Sequence, residues 1–120
     1  MSDVINLREK LARIGELWHP YIVAEVDAYH VKLAKVRGEF VWHTHDEQDE
    51  MFLLIEGEMT IRMREGDIAL SEGDLFVVPR GIEHCPHSPE GASVLLLERA
   101  DTAHTGEVES ELTHNDQEWI

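Results

Sequence analysis

The stretch from Gly38 to Gly57, GEFVWHTHDEQDEMFLLIEG, decides the fold of this 120-residue chain. Within it, His43 and His45 lie two residues apart, and Glu50 follows just before an apolar run. Side chains two positions apart in a β-strand project from the same face, so we expect the two imidazoles to lie side by side. Uncharged imidazoles placed together offer lone pairs to one metal ion. The stretch therefore predicts strands that bring two histidines and a returning carboxylate to one point.

A third histidine follows a turn later in the chain. The turn is Pro79-Arg80-Gly81, and His84 comes three residues after it. The fixed φ of proline and the freedom of glycine would aim the following strand. Three imidazoles and one carboxylate make a site for a divalent transition metal with one or two open positions. No cysteine belongs to this set, which excludes a closed, cysteine-rich structural zinc site.

These two stretches resemble the two motifs of the cupin superfamily. The first motif runs Gly, five residues, His-x-His, three or four residues, Glu, six residues, Gly. The chain matches it over 38–57 with one residue fewer after the first glycine. The second motif runs Gly, five residues, Pro-x-Gly, two residues, His, three residues, Asn, and matches 73–88, where Ser88 replaces the asparagine. The resemblance thus spans residues 38–88.

The resemblance implies an all-β fold: a cupin-type antiparallel β-barrel (double-stranded β-helix or jelly roll), here with a short N-terminal helix. It also implies one metal ion inside the barrel. The chain as a whole resembles the small single-domain cupins that are grouped loosely with sugar-phosphate isomerases. The metal ligands that the resemblance implies are His43, His45, Glu50 and His84.

The loop before Glu50 contains further carboxylates that could compete with it for a metal. The motif spacing favours Glu50, and we expect the others to form a solvated turn, although one of them could replace it. The competing residues are Asp46, Glu47 and Asp49.

The other histidines and the cysteine fit the ligand set less well. His87 lies three residues after His84 and so has the opposite strand parity, which predicts that it points away. Cys85 is expected to be a small buried hydrophobe. We expect the remaining histidines at surface or structural positions: His19, His30, His104 and His114.

The N-terminal segment has helical spacing. Asp3 is a plausible N-cap, apolar residues recur at positions 4, 7, 11 and 14, and Gly15 could end the helix. The pattern predicts a helix over 3–14 whose apolar face covers the domain or a partner chain.

From Pro20 onward, short apolar runs alternate with glycine-containing turns. This spacing is typical of an antiparallel sandwich or barrel. We predict an N-terminal helical segment over 1–17, a barrel over 18–100 and an acidic tail over 101–120 that packs on the barrel. The runs are YIVAEV, YHVKLAKV, EFVWH, MFLLIE, MTIRM, DIALS, DLFVVP and SVLLLE.

The runs MFLLI and VLLL are apolar at every position, so both of their faces should be buried. The outer face would meet the helix or a second subunit, and we predict a homodimer. Phe52 and Leu54 share parity with Glu50 and would line the pocket beside the metal.

The run MTIRM alternates. Met59, Ile61 and Met63 are expected to face the interior, which leaves Arg62 and Arg64 on a solvated face. Both arginines could bind an anionic substrate only if that face were reversed.

Composition excludes some classes of function. The formal net charge of -15 would repel nucleic-acid phosphates and anionic membranes, so neither is an expected partner. The single cysteine rules out an intrachain disulfide and fits a reducing compartment. We therefore expect a cytoplasmic protein with a small-molecule ligand or substrate.

The predicted function is that of a divalent-metal-binding protein, as a metal-dependent enzyme on a small polar metabolite. Iron would indicate a dioxygenase, whereas manganese, nickel or zinc would indicate an isomerase or a lyase. The alternative is a non-catalytic module that binds metal and a small ligand. No general base is singled out, and the catalytic residues are unknown; the candidates by residue type are Tyr21, Tyr29, His30 and Glu83.

Overall fold

The apolar runs of the sequence form the strands of the computed structural model, which describes residues 3–106, 110, 112–113 and 117–120. A short helix precedes them, as the sequence predicts. The elements are α1 (Leu7–Ala12), β1 (Tyr21–Val26), β2 (Tyr29–Glu39), β3 (Glu50–Gly57), β4 (Met59–Met63), β5 (Ile68–Leu70), β6 (Leu75–Val78), β7 (His84–Arg99) and β8 (Glu118–Trp119).

Strand β7 organises the sheet. It pairs antiparallel with β2 along most of its length, with β3 through its C-terminal half and with β4 through its N-terminal half. Strand β6 pairs with β3, β5 pairs with β4, and β1 pairs with β2, and all three pairings are antiparallel. These pairings roll the chain around one interior, and the all-β barrel is confirmed.

The interior of the barrel is apolar where the strands alternate. Met59 and Ile61 are 2% and 0% exposed, and Met63 packs against the same cluster. Arg62 and Arg64 lie on the outer face, where both guanidinium groups stack over the Trp42 ring. The predicted faces of this strand are confirmed. Trp42 differs from an ordinary core aromatic because it is only half-buried beneath the two arginines.

The outer face of the sheet is covered in part by the helix. Leu11 and Ile14 pack with Val23 and Leu33 in a second buried cluster that also contacts Ile55 and Leu95. The helix thus covers the outer face of the non-alternating runs at Ile55 and Leu95, whereas Met51 and Leu53 on that face are only half-buried.

The helix is shorter than the predicted 3–14. Asn6 caps it by accepting a hydrogen bond from the backbone N–H of Glu9 at 2.9 Å, so Asp3 is not the N-cap. Val4 is 99% exposed and lies outside the helix. The apolar periodicity of the sequence extends beyond the observed start of the helix because the exposed Val4 has the same helical spacing as the buried apolar residues.

The runs YHVKLAKV and EFVWH form different elements from those predicted. Strand β2 continues through Gly38 to Glu39 with a bulge after Val36, where a β-bulge accommodates an extra residue. The segment 40–49 that follows is not a regular strand. It is linked to β7 by an isolated bridge between His43 and His84 and by a hydrogen bond from the Phe40 N–H to the Pro86 carbonyl.

The described part of the C-terminal segment contacts the barrel. Strand β8 pairs parallel with β1, and the backbone N–H of Ile120 donates to the Ile22 carbonyl at 3.1 Å. His114 lies outside the described residues. The division into 1–17, 18–100 and 101–120 stays a prediction. In the described part of the chain, no helix has the length and apolar character needed to cross a membrane.

Candidate metal centre

Four predicted ligands from three chain segments meet at one end of the barrel. Glu50 is the first residue of β3 and His84 the first of β7. His43 is held opposite His84 by two backbone hydrogen bonds of 3.0 and 2.9 Å. His45 follows in the irregular segment and accepts a hydrogen bond on its carbonyl from Gly81 N–H. The two histidines of the first motif are therefore positioned by a single bridge and the adjoining turn, and not by the regular strand that their spacing predicts.

The four side chains are buried and close together. Their exposed fractions lie between 1% and 6%, and one donor atom from each falls within 4.8 Å of the others. The imidazole ring centroids of His43 and His45 are 4.9 Å apart, and those of His43 and His84 are 4.3 Å apart. Two ligands on opposite sides of an ion with bonds of about 2.1 Å would be separated by about 4.2 Å. The set needs only a small contraction to enclose one ion.

Backbone carbonyls fix the tautomers of two of the imidazoles. The Nδ1 atoms of His43 and His84 each lie 2.9 Å from a carbonyl oxygen, that of Val41 and Ile82 respectively. A carbonyl only accepts, so each Nδ1 carries a proton. His43 Nε2 keeps a free lone pair, whereas His84 Nε2 lies 3.2 Å from the acceptor-only Glu50 carboxylate and can bind a metal once it has lost its proton. This is the arrangement in which histidine binds metals through Nε2 while the other nitrogen is held by a hydrogen bond.

His45 supplies an independent indication of a ligand. Its Nε2 is buried without a hydrogen-bond partner among the described residues. Its nearest carboxylate oxygen is Oε1 of Glu50, at 3.7 Å, which also lies 3.2 Å from Nε2 of His84. A buried polar atom left without a partner is costly, and a metal ion at this point would satisfy it. The residues present therefore fit a divalent transition metal.

Burial keeps the first two imidazoles neutral. Burial first, and the neighbouring His84 second, lower the pKa of His43 from 6.5 to about 4. Burial also lowers the pKa of His45. For His84, burial acts in the same direction, but the hydrogen bond and the charge of Glu50 outweigh it and raise its pKa. Neutral imidazole is the form that binds a metal.

A second carboxylate lies behind Glu50. Burial alone would raise the pKa of Glu50, but its contacts with His84 and the other buried groups hold that pKa below its usual range. Glu98 is 3% exposed, and burial together with the charge of Glu50 raises its pKa well above the usual value. Lys32, 5% exposed, donates to Glu98 Oε1 at 2.9 Å. The Glu50 carboxylate is thus one of three buried ionisable groups, with Glu98 and Lys32, that lie next to one another.

An apolar cavity adjoins the ligand set. His43 and Glu50 form part of its wall, and its free space is about 40 Å³, enough for a few water-sized groups. Phe52 lines it, as predicted, whereas Leu54 is fully buried in the core beside it. The other lining residues are Trp18, Pro20, Ala34, Val36, Phe40, Met59, Pro86, Val94, Leu96 and His104.

The loop carboxylates lie apart from this centre. Asp46, Glu47 and Asp49 are exposed, and Asp49 accepts hydrogen bonds from the backbone and side chain of Arg80. They form the solvated turn that the spacing predicts. Glu50 is the carboxylate in the cluster.

Cys85 and His87 flank the second-motif histidine without joining the cluster. Cys85 is fully buried, and burial raises the pKa of its thiol to about 11, so it is the small hydrophobe that was predicted. His87 pairs across the strands with Glu39 and Thr60.

The residues considered as general bases lie away from the cavity. Tyr21 stacks on His19 at a centroid distance of 4.1 Å, and Tyr29 is 44% exposed. His30 lies beside Glu25, and Glu83 accepts from Arg64. None of these four lines the cavity.

Sequence reasoning missed two features of the site. His104 was expected at a surface or structural position, but it lines the cavity with its ring 5.0 Å from that of Phe40. The pair Lys32 and Glu98 was missed although a signal existed: Lys32 shares strand parity with Ala34 and Val36, which face the interior. A charged residue on an inward face requires a partner.

Comparison with known proteins gives consistent matches. A protein-family model described as a cupin domain matches residues 29–98. The chain is 33% identical over 85 residues to the uncharacterized protein YdbB of Bacillus subtilis, which covers 70% of this chain and 75% of that one. A crystal structure of a cupin-2 domain containing protein from Shewanella frigidimarina has a TM-score of 0.79 at 40% identity and covers 80% of this chain and 94% of that one.

An enzyme also appears among the similar proteins. The chain is 32% identical over 68 residues to the 3-hydroxyanthranilate 3,4-dioxygenase of Ruegeria pomeroyi. The match covers 50% of this chain but only 38% of the enzyme. The chain therefore corresponds to well under half of that protein's length.

Proposed function

The chain belongs to the cupin domain family, and on that premise we propose that it is a metal-dependent enzyme acting on a small molecule with metal-binding polar atoms. The proposed ligands are His43, His45, Glu50 and His84. The observation that carries the proposal is the convergence of four buried donors, among which His45 Nε2 has no hydrogen-bond partner in the described residues.

A divalent metal held here would supply Lewis-acid activation of a bound oxygen atom or, if redox active, reaction with dioxygen. The protein contributes the surroundings. Apolar side chains such as Phe52 and Leu96 exclude water from the wall that adjoins the ligands, which strengthens electrostatic interactions inside. Trp18 and Phe40, stacked at 4.7 Å, bound the cavity on another side and restrict what can enter to a few atoms.

His104 is the group that we assign to proton transfer with the bound molecule. It is the one titratable side chain in the cavity wall, among the described residues, that is not also a proposed metal ligand. Imidazole exchanges protons near neutral pH. His104→Gln is therefore expected to lower turnover while leaving the metal content unchanged.

Within the predicted reaction classes, the observations favour a dioxygenase over an isomerase or a lyase. The similarity to 3-hydroxyanthranilate 3,4-dioxygenases supports an oxygen-dependent reaction, and iron would be the metal. No lysine or arginine is among the described residues that line the cavity. A sugar phosphate would need such cations for its phosphate group, so a sugar-phosphate isomerase has less support.

The alternative is a non-catalytic module that binds metal and a small ligand. A cavity of about 40 Å³ would hold a small ligand equally well whether or not it is converted. The two functions differ in turnover and not in binding, so binding data alone do not separate them.

Elemental analysis of the purified protein is the first test. We expect about one equivalent of metal per chain, lost in His43→Ala and retained in the matched control His87→Ala, whose histidine lies outside the cluster. Absence of metal after reconstitution with iron, manganese, zinc and nickel would refute the metal site.

Two further measurements separate the enzyme from the binding module. Azide should perturb the spectrum of the metal-loaded protein, because the four proposed ligands leave a position open. Oxygen consumption by the iron-loaded protein with small chelating metabolites should then reveal a dioxygenase. Ligand binding without turnover of any of them, under oxygen or without it, would support the non-catalytic module.

The proposal includes a homodimer in the cytoplasm. In β6, Leu75 and Val77 are 54% and 43% exposed, and they pair across the strands with the half-buried Leu53 and Met51. A second copy would cover this apolar face. Light scattering should give a dimer mass, and Val77→Lys should lower it to that of a monomer. Cell fractionation tests the location.

A further inference from the structure

A buried ion pair lies inside the barrel beside the four proposed metal ligands. Lys32 and Glu98 are 5% and 3% exposed, and the Lys32 ammonium donates to Glu98 Oε1 at 2.9 Å. Removing two charges from water costs several kcal/mol per ion, and the attraction between the two charges offsets a similar amount. Such a pair is often replaceable by apolar residues without loss of stability. Its presence therefore calls for a role other than stability.

The strand register places this pair directly behind a proposed metal ligand. Met51 on β3 lies opposite Leu97 on β7, so the next pair toward the start of β3 is Glu50 and Glu98. Both side chains are buried on the interior face, so this register brings their carboxyl groups toward each other. Residues opposite each other on neighbouring antiparallel strands have Cβ atoms about 5 Å apart.

The arrangement constrains which way the Glu50 carboxylate can turn. Its Oε1 atom faces the imidazoles, 3.2 Å from His84 Nε2 and 3.7 Å from His45 Nε2. Glu98 approaches the same carboxylate from the β7 side and is itself held by Lys32 from β2. A glutamate side chain free to rotate would lose this orientation, since it has three rotatable bonds.

We propose that Glu98, anchored by Lys32, is a positioning residue that holds the Glu50 carboxylate in the orientation needed to bind the metal. The inference rests on the proposed metal site. Outer partners that hold a ligand carboxylate by hydrogen bonding raise metal affinity, and their loss weakens it by roughly 10- to 100-fold.

A double variant separates positioning from stability. Lys32→Met with Glu98→Leu replaces the ion pair by apolar residues of similar size. The affinity for Co²⁺, measured by competition with a chromophoric chelator, should fall by roughly 10- to 100-fold. The urea midpoint of the metal-free protein should stay the same or rise. The visible spectrum of the Co²⁺-loaded protein should also change, because it reports ligand geometry.

Leu33→Ala is the matched control. Leu33 is the neighbour of Lys32 on the same strand, but it is fully buried on the opposite face, beneath the helix. This variant should lower the urea midpoint and leave the Co²⁺ affinity unchanged, the reverse of the double variant. Glu98→Gln keeps the length and an acceptor oxygen for Lys32, and its amide N–H can donate to Glu50, so it should retain Co²⁺ affinity within a few-fold.

The outcomes that overturn the inference are distinct from those that overturn the metal site. If the wild type binds Co²⁺ and the double variant binds it equally well, the positioning role is wrong and the metal site stands. If the wild type binds no Co²⁺, both are wrong. Should the double variant fail to fold, Glu98→Asp decides, because it keeps the carboxyl group but shortens the reach; unchanged affinity in that variant would overturn the positioning role.

Discussion

Acid should destabilise the metal-free protein through the buried imidazole of His43. The pKa of this group is lowered by burial from 6.5 to about 4, so the unfolded chain takes up a proton near pH 6.5 and the folded chain only near pH 4. Between these values the unfolded state carries more protons. The free energy of unfolding therefore falls as the pH falls through this window.

The size of the effect follows from the shift. One pKa unit corresponds to 1.36 kcal/mol, so a decrease from 6.5 to about 4 amounts to roughly 3 kcal/mol. His45, whose pKa is also lowered, adds to the loss. His84 opposes it, because its pKa is raised and its contribution to stability is present at low pH and lost as the pH rises. The net change is a loss of stability toward acid.

Urea denaturation in the presence of a chelator measures this loss of stability toward acid. The free energy of unfolding would be determined at pH 7, 6, 5 and 4.5 for the wild type and for His43→Gln, which has a similar size and does not titrate. The titration of surface carboxylates is common to both proteins, so the difference between them isolates His43. That difference should change by about 2 to 3 kcal/mol across the window. A difference that stays constant with pH would refute the lowered pKa.

Three further changes test the metal centre, a turn and the helix. His84→Ala should lose most of its metal while its far-ultraviolet circular dichroism stays that of a β-protein; metal retention equal to that of the wild type would contradict the four-ligand site. Gly57→Ala should cost about 3 kcal/mol or more, because Gly57 has φ +89° and a Cβ there would strike the Gly91 carbonyl oxygen. Gly73→Ala, at the same φ but in open space, should cost only about 1 kcal/mol. Equal urea midpoints for these two would refute the clash. Leu11→Ala should cost about 2 to 4 kcal/mol in urea denaturation, since Leu11 is 6% exposed; a change below 1 kcal/mol would show that the helix is not docked.

The sequence allowed the barrel and the cluster to be predicted because both depend on local patterns. Alternation in the run 59–63 assigns its inner face through the two-residue period of a strand. Glu50 and His84 are each the first residue of a strand, and the spacing from a turn fixes such positions. His43 was grouped correctly with His45 but for an incomplete reason, since no regular strand holds them.

What escaped prediction depends on contacts between distant parts of the chain. His104 reaches the cavity because the segment after β7 returns over Phe40. No local sequence pattern predicts the path of that segment. Lys32 and Glu98 are 66 residues apart, so neither explains the other until the register of β2 and β7 is known. The predicted start of the helix was wrong for a local reason. Asn6 and Asp3 are both acceptable N-caps, and the choice between them depends on which leucines reach the core.

The central position of β7 has a consequence for how the chain folds during synthesis. Strands β2, β3 and β4 each rely on β7 as a hydrogen-bonding neighbour, and β7 begins only at residue 84. While the ribosome is still adding residues before that point, these strands have open edges that invite pairing with other chains. Closure depends on contacts between distant residues, which form slowly. A nascent chain stalled before residue 84 should therefore bind holdase chaperones, and one extended beyond residue 99 should be released from them.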